Sequence, residues 1–214
     1  MRTMVLWVLM VSAAECAVAE DERRLGWYGG GGISASNVFA VEGSGLYGTS
    51  ERGSSDTGFV ISGGYRLSRN IAFEIGYLHG GAPGFSTLAT DACPGVPPCI
   101  VDAVQKTTAF AAGVVALLPL GESWEIHIKG GAAIWDASSD LVLTPIAPGS
   151  PDIRNVDADG TDFMLAIGGG ITVGDHTHLR LEYLAFRTDD DLLALDASRE
   201  ARFDQFALEL LWRF

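Results

Sequence analysis

Positive charge is scarce in this sequence. The 14 lysines and arginines face 27 aspartates and glutamates, a formal net charge of −13, and lysine occurs only at Lys106 and Lys129. So acidic a chain cannot neutralise a row of phosphates, which excludes nucleic acid as a partner. Long apolar runs are also missing. Beyond the N-terminus no stretch approaches the roughly 18 apolar residues that an α-helix needs to cross a bilayer. That excludes a helical membrane protein and leaves strand-built ones untouched. Cysteine is confined to Cys16, Cys93 and Cys99, too few ligands, with no histidine near them, for a structural zinc site. What is plentiful narrows the choice further. Glycine supplies 27 of 214 residues without a three-residue period, which excludes collagen, and 48% hydrophobic residues exclude a disordered chain. The length admits one domain or two.

The first residues read as an export signal. Arg2 precedes the apolar run Met4–Val11, and small residues follow as far as Ala17-Val18-Ala19, so cleavage is expected after Ala19, leaving residues 20–214 as one mature domain. Eight apolar residues are too few for a span, and a buried helix leaves the Ala-x-Ala ending unexplained. Glu15 sits where a lipoprotein signal wants a small residue, so Cys16 is expected to leave with the peptide. Cys93 and Cys99 then bracket Pro94-Gly95-Val96-Pro97-Pro98, and an oxidising compartment permits a disulfide that staples this loop.

From Gly26 onward the apolar period is two, the period of a strand, rather than 3.6. Eight segments obey it: 26–36, 57–67, 70–80, 105–118, 123–136, 161–173, 177–187 and 201–214. In the third, Ile71, Phe73, Ile75 and Tyr77 share one face, with Ala72, Glu74, Gly76 and Leu78 on the other. The connections at 67–70, 119–122 and 174–177 are tight, while those at 37–56, 81–104, 137–160 and 188–200 are long. Strict alternation of short and long connections is the pattern of an up-and-down antiparallel barrel in a membrane. A soluble eight-stranded barrel shares the alternation with its polarity inverted. Three features favour the membrane. The mixed face carries Glu74, Glu125, Lys129, Arg180, Glu182, Glu209 and Arg213, too dispersed for one active site but able to pair inside a narrow lumen, with His127 between two of them. Trp27, Trp124 and Trp212 fall on the apolar face near the short-turn ends, as an aromatic girdle does. The export signal and the terminal aromatic residue go together with barrel assembly. Glycines inside strands, such as Gly113, Gly130-Gly131 and Gly168-Gly169-Gly170, relieve crowding in a tightly curved barrel.

The opening Trp27-Tyr28-Gly29-Gly30-Gly31-Gly32, together with Gly64-Tyr65-Arg66-Leu67-Ser68-Arg69-Asn70-Ile71-Ala72-Phe73-Glu74-Ile75-Gly76-Tyr77 across the first tight turn, resembles the small outer-membrane β-barrel family that includes the OmpA transmembrane domain and the opacity proteins. The resemblance covers essentially the whole mature chain. It implies an all-β, eight-stranded transmembrane barrel in the outer membrane of a Gram-negative cell, in contact with outer-membrane lipid and lipopolysaccharide. It also implies an interior ion-pair network on the charged residues named above. The terminal Phe206-x-Leu208-x-Leu210-x-Trp212-x-Phe214 is similar to the signal by which the outer-membrane assembly machinery recognises a last strand. Unlike full-length OmpA, this chain stops at the barrel, so tethering to the cell wall is not implied.

Catalysis is not expected. The histidines are His79, His127, His176 and His178, and no nucleophile, base and orienting acid are set out as a triad. Asp157-x-Asp159-Gly160-x-Asp162 superficially resembles a calcium loop but lacks the closing glutamate, and with Asp189-Asp190-Asp191 it reads as solvated loop. No cofactor or metal is called for. The leading expectation is a monomer with a structural or surface-interaction role, its long loops facing outward toward an extracellular ligand. The alternative is a narrow pore, or a channel with a hydrophobic side-exit of the OmpW type, and a lipid-modifying enzyme ranks third.

Overall fold

The computed structural model describes residues 25–40, 52–89, 99–188 and 201–214. Every regular element among them is a strand: β1 (Gly26–Ala40), β2 (Arg52–Gly53), β3 (Asp56–Ser68), β4 (Ile71–His79), β5 (Gly84–Ala89), β6 (Cys99–Leu120), β7 (Trp124–Pro145), β8 (Asp152–Val173), β9 (Thr177–Thr188) and β10 (Ala201–Arg213). Eight of them close a ring in the order β1-β3-β4-β6-β7-β8-β9-β10, every neighbour antiparallel, with β10 returning to β1 through pairs from Tyr28↔Arg213 to Ala40↔Ala201. Closure pairs the backbone without leaving an edge, which the interior of a bilayer demands. The two tight turns at residues 121 and 174 carry glycine at φ of 75° and 71°, a left-handed conformation that a side chain disfavours.

Period-two alternation decides which face is which. Ile75, Ile33, Phe110, Trp27 and Phe163 point outward, each 65–70% exposed, while Glu74, Arg180, Glu182 and Glu209 point inward at 1–4%. The polarity is that of a membrane barrel, the inverse of a soluble one. On β6 the outward stripe runs without a charge from Leu120 to Phe110, on β7 from Trp124 to Ile134, and on β8 from Val173 to Phe163. Each stripe then gives way to Thr108 and Lys106, Asp136, or Thr161 and Asp159. Ten residue steps at about 3.4 Å, tilted by about 40°, make a band about 26 Å tall, the height of a bilayer's apolar interior.

The long connections differ from the sequence expectation. Residues 137–160 are not a loop: β7 continues to Pro145, β8 begins at Asp152, and the pairing is unbroken from Trp124↔Ile171 to Leu143↔Asp152. Within 81–104, β5 and the start of β6 pair through Gly84↔Val104 to Ala89↔Cys99, and β2 adds to β5. β5 therefore continues the edge of β6 above β4. The result is a raised wall, β2-β5-β6-β7-β8, standing beyond the apolar band on one side of the barrel. These segments read as loop because their outward positions, no longer facing lipid, carry aspartate, asparagine and serine instead of apolar residues. The expected signal peptide, Cys93 and Asp189–Asp191 lie outside the described residues.

Candidate functional site

The lumen is filled in two layers. The one nearer the tight turns is ionic. Arg180, on β9, reaches Glu74 on β4 (2.5 Å) and Glu209 on β10 (2.9 Å). Lys129, on β7, bridges Glu74 (2.9 Å) and Glu182 (2.6 Å). The hydroxyl of Tyr28 donates to Glu74 (2.9 Å) and that of Ser62 to Glu209 (2.6 Å). Below them Arg66 donates to Glu125 (3.0 Å) and to the Arg69 carbonyl (2.6 Å). Buried charges persist only when paired and hydrogen-bonded, and this set ties β1, β3, β4, β7, β9 and β10 across the interior.

β6 and β8 contribute space instead of charge. His127, on β7, passes over Gly168 to reach Glu182 on β9, with Nε2 3.0 Å from Oε2. His178, on β9, passes over Gly170 in the opposite direction to Glu125 on β7, at 3.2 Å, close enough for an ion pair but without the alignment of a hydrogen bond. A β-carbon on Gly168 would come within 2.5 Å of the His127 ring, and one on Gly170 would overlap that of His178. The inward glycines of Gly168-Gly169-Gly170 are thus the floor over which two imidazole straps cross.

The second layer is mainly apolar, with Gln205 donating to the Ser34 hydroxyl (2.7 Å) within it. Val60, Leu78, Trp135, Met164, Leu184, Phe186, Phe203 and several alanines form one buried cluster above the ions. Phe186 and Phe203 meet at 4.9 Å between ring centres, and the Trp135 indole N–H donates to Asp162 (2.7 Å). A cavity of about 580 Å³ enters from the tight-turn end and stops at Arg66, Glu125, His127 and Arg180. Thr172, His178 and Glu125 stand in a row on its wall, with Thr172 Oγ1 3.2 Å from His178 Nδ1. The same Nδ1 also stands 3.5 Å from the Arg213 guanidinium.

Of the residues expected in the lumen network, Glu74, Glu125, His127, Lys129, Arg180, Glu182 and Glu209 are brought together. Arg213 lies half-buried at the tight-turn mouth, at the end of β10, where its guanidinium stands 3.5 Å from His178 Nδ1. Arg66, Tyr28 and His178 belong to the network but were not expected there, although parity places all three inward. Trp27, Trp124 and Trp212 lie outward at the tight-turn end, 50–66% exposed, with Trp212 stacked on His176 at 5.3 Å. A second aromatic border, unforeseen, marks the other side: Phe59, Tyr77 and Phe110 in contact, and Tyr183 against Phe206. Phe206, Leu208, Leu210, Trp212 and Phe214 all face outward. Cys99 is buried and disulfide-bonded. The calcium-like spacing is undone by the strand it occupies, since Asp157 and Asp159 face out from β8 and Asp162 faces in.

The family model described as outer membrane protein beta-barrel domain matches residues 3–214. Among solved structures, Neisserial surface protein A is similar at 14% identity, covering 88% of this chain and 97% of that one with a TM-score of 0.52. OprG from Pseudomonas aeruginosa is similar at 11% identity, covering 89% and 96% with a TM-score of 0.50. Ail of Yersinia pestis, solved with a heparin analogue, is similar at 15% identity, covering 89% and 99% with a TM-score of 0.48. Identities this low speak for the fold alone. No curated protein matches the chain.

Proposed function

We propose, from the premise that this chain belongs to the outer membrane protein beta-barrel domain family, that it is a closed barrel whose work is done outside the membrane, by the raised wall of β5 to β8. Membership places it in the outer membrane. The observation that carries the reading is the two-layer lumen: any solute entering from below meets first the buried ion pairs and then a closely filled, mainly apolar layer. Meanwhile β6, β7 and β8 each run 22 residues, about twice what a membrane crossing uses. Chain invested beyond the bilayer and a filled interior together favour recognition or adhesion at the surface over transport.

In this reading the export signal is removed after Ala19, the outward strand ending in Phe214 is bound by the assembly machinery, and the finished monomer sits among lipid and lipopolysaccharide with its two aromatic borders at the interfaces. The second reading, a narrow conduit, draws on the cavity at the tight-turn end. Single-channel recording of the refolded protein in planar bilayers separates the two, with heat-modifiable gel mobility reporting that the barrel is folded. A folded, silent barrel is expected. Reproducible conductance steps would replace this reading with the conduit.

A further inference from the structure

Building on the raised wall as the working part, we propose that the edge of β8 left unpaired among the described residues receives an extended, basic polypeptide segment of another protein as an added strand. β8 pairs with β7 as far as Asp152↔Leu143, but its pairing with β9 stops at Met164↔Phe186. Among the described residues, Asp152–Phe163 is therefore hydrogen-bonded to a strand on one side only. That is about 40 Å of ladder, whose alternate N–H and C=O groups point away from β7 and form a template for one more strand.

The two faces of this edge dictate what can be added. Asp157 and Asp159 face outward on β8, Asp136 stands directly opposite Asp159 on β7, and Asp140 lies further along the same face. No basic side chain among the described residues pairs with any of the four. Like charges set directly across a ladder repel, and lysine or arginine at alternate positions of an added strand would lie beside Asp157 and Asp159 and relieve that repulsion. The inner face differs in character: between the Asp152–Arg154 ion pair and Asp162 it carries Val156 and Ala158, small and apolar, and the Trp135 indole occupies the space that a side chain at Gly160 would need. A partner that alternates basic residues outward with small apolar residues inward fits both faces. A second copy of this chain does not. Two upright barrels that met at this edge would present opposite faces to each other, setting the inner face of one β8 beside Asp157 and Asp159 of the other, and so would bring no row of basic residues to them.

The test uses the refolded full chain in lipid nanodiscs and a labelled peptide of about ten residues alternating lysine and valine, with binding read by fluorescence anisotropy. Saturable binding that weakens with added salt is expected, lost when glutamate replaces the peptide's lysines, and about tenfold weaker or more for the Asp157→Asn/Asp159→Asn double variant. Consecutive residues of a strand direct their N–H groups to opposite edges. Of two peptides N-methylated on the lysine or on the valine nitrogens, one should therefore lose binding and the other keep it. Equal binding by both would reduce the effect to charge alone and overturn strand addition, as would no binding at all. A silent bilayer with no peptide binding removes this proposal and leaves the closed-barrel reading standing, whereas conductance steps remove that reading whatever the peptide does.

Discussion

Replacing Arg180 with methionine removes the guanidinium that holds two carboxylates. Glu74 keeps Lys129 at 2.9 Å and the Tyr28 hydroxyl. Glu209, 1% exposed, keeps only the Ser62 hydroxyl, so it becomes the uncompensated buried charge. Removing one partner of a buried pair costs about 3–5 kcal/mol, and that loss is expected for Arg180→Met in urea unfolding from lipid vesicles followed by tryptophan fluorescence. The double variant Arg180→Met/Glu209→Gln should recover about 2–3 kcal/mol of it, because the orphaned charge is gone. Both variants should stay silent in planar bilayers, since the apolar layer above is untouched. A loss below about 1 kcal/mol, the scale of a solvent-exposed pair, would refute the reasoning by showing that water already reaches the network.

Ile75→Arg and Leu208→Arg, each placing a cation between the two aromatic borders on the lipid face, should each destabilise by about 2–4 kcal/mol in the same assay, and neutral results for both would invert the face assignment. Gly170→Val, which drives a side chain into the His178 ring, should cost about 1–3 kcal/mol through overpacking, and unchanged stability would mean that the ring is free to move aside. Asp56, at the outer end of β3, accepts hydrogen bonds from the N–H groups of Ala82 (2.7 Å) and Thr57 (2.8 Å), which hold its carboxyl below the usual carboxylate range. A depressed folded-state value stabilises above the ordinary carboxylate pKa and is lost as pH falls through the lowered one. Amide exchange at Ala82, corrected for intrinsic rate, should therefore quicken in strong acid, and in Asp56→Asn already at neutral pH; no change in either would remove the tie. Deleting Phe214 should lower the yield of heat-modifiable protein in the membrane, and normal assembly would count against the terminal signal.

The membrane-crossing part of the fold was legible because lipid outside and ions inside impose a strict period of two, strong enough to place Glu74, Lys129 and Arg180 on one face before any partner was known. Parity held for Tyr28 and Arg66 as well, each sandwiched between outward neighbours, but glycine-rich surroundings and a nearby turn concealed it. Who pairs with whom was not legible. Lys129 meets Glu74 across the lumen from a strand two places round the ring, and that meeting depends on the stagger with which the barrel closes, a quantity set jointly by all eight strands. The raised wall was hidden for a different reason. Above the bilayer the outward face has no lipid to satisfy, so Asp136, Asp140, Asp157 and Asp159 replace isoleucine and phenylalanine, and only the inward half of the pattern survives, in Leu141, Leu143 and Val101, each 1% exposed.

That change of outward chemistry partway along continuous strands is itself informative. Continuing a strand beyond the bilayer adds backbone hydrogen bonds but also exposes a long edge, which soluble and membrane proteins alike tend to shorten, cover or charge to prevent indiscriminate pairing. β8 keeps its length and on its outward face takes charge of one sign, in Asp157 and Asp159. An aspartate ladder of this kind repels acidic edges and admits basic ones, so the charge that guards the strand also selects its partner. A mixed-sign edge, with lysines among the aspartates, would protect equally well and select nothing. Reversing the ladder by Asp157→Lys/Asp159→Lys should therefore transfer binding from the lysine peptide to its glutamate counterpart while leaving the unfolding midpoint of the barrel in place.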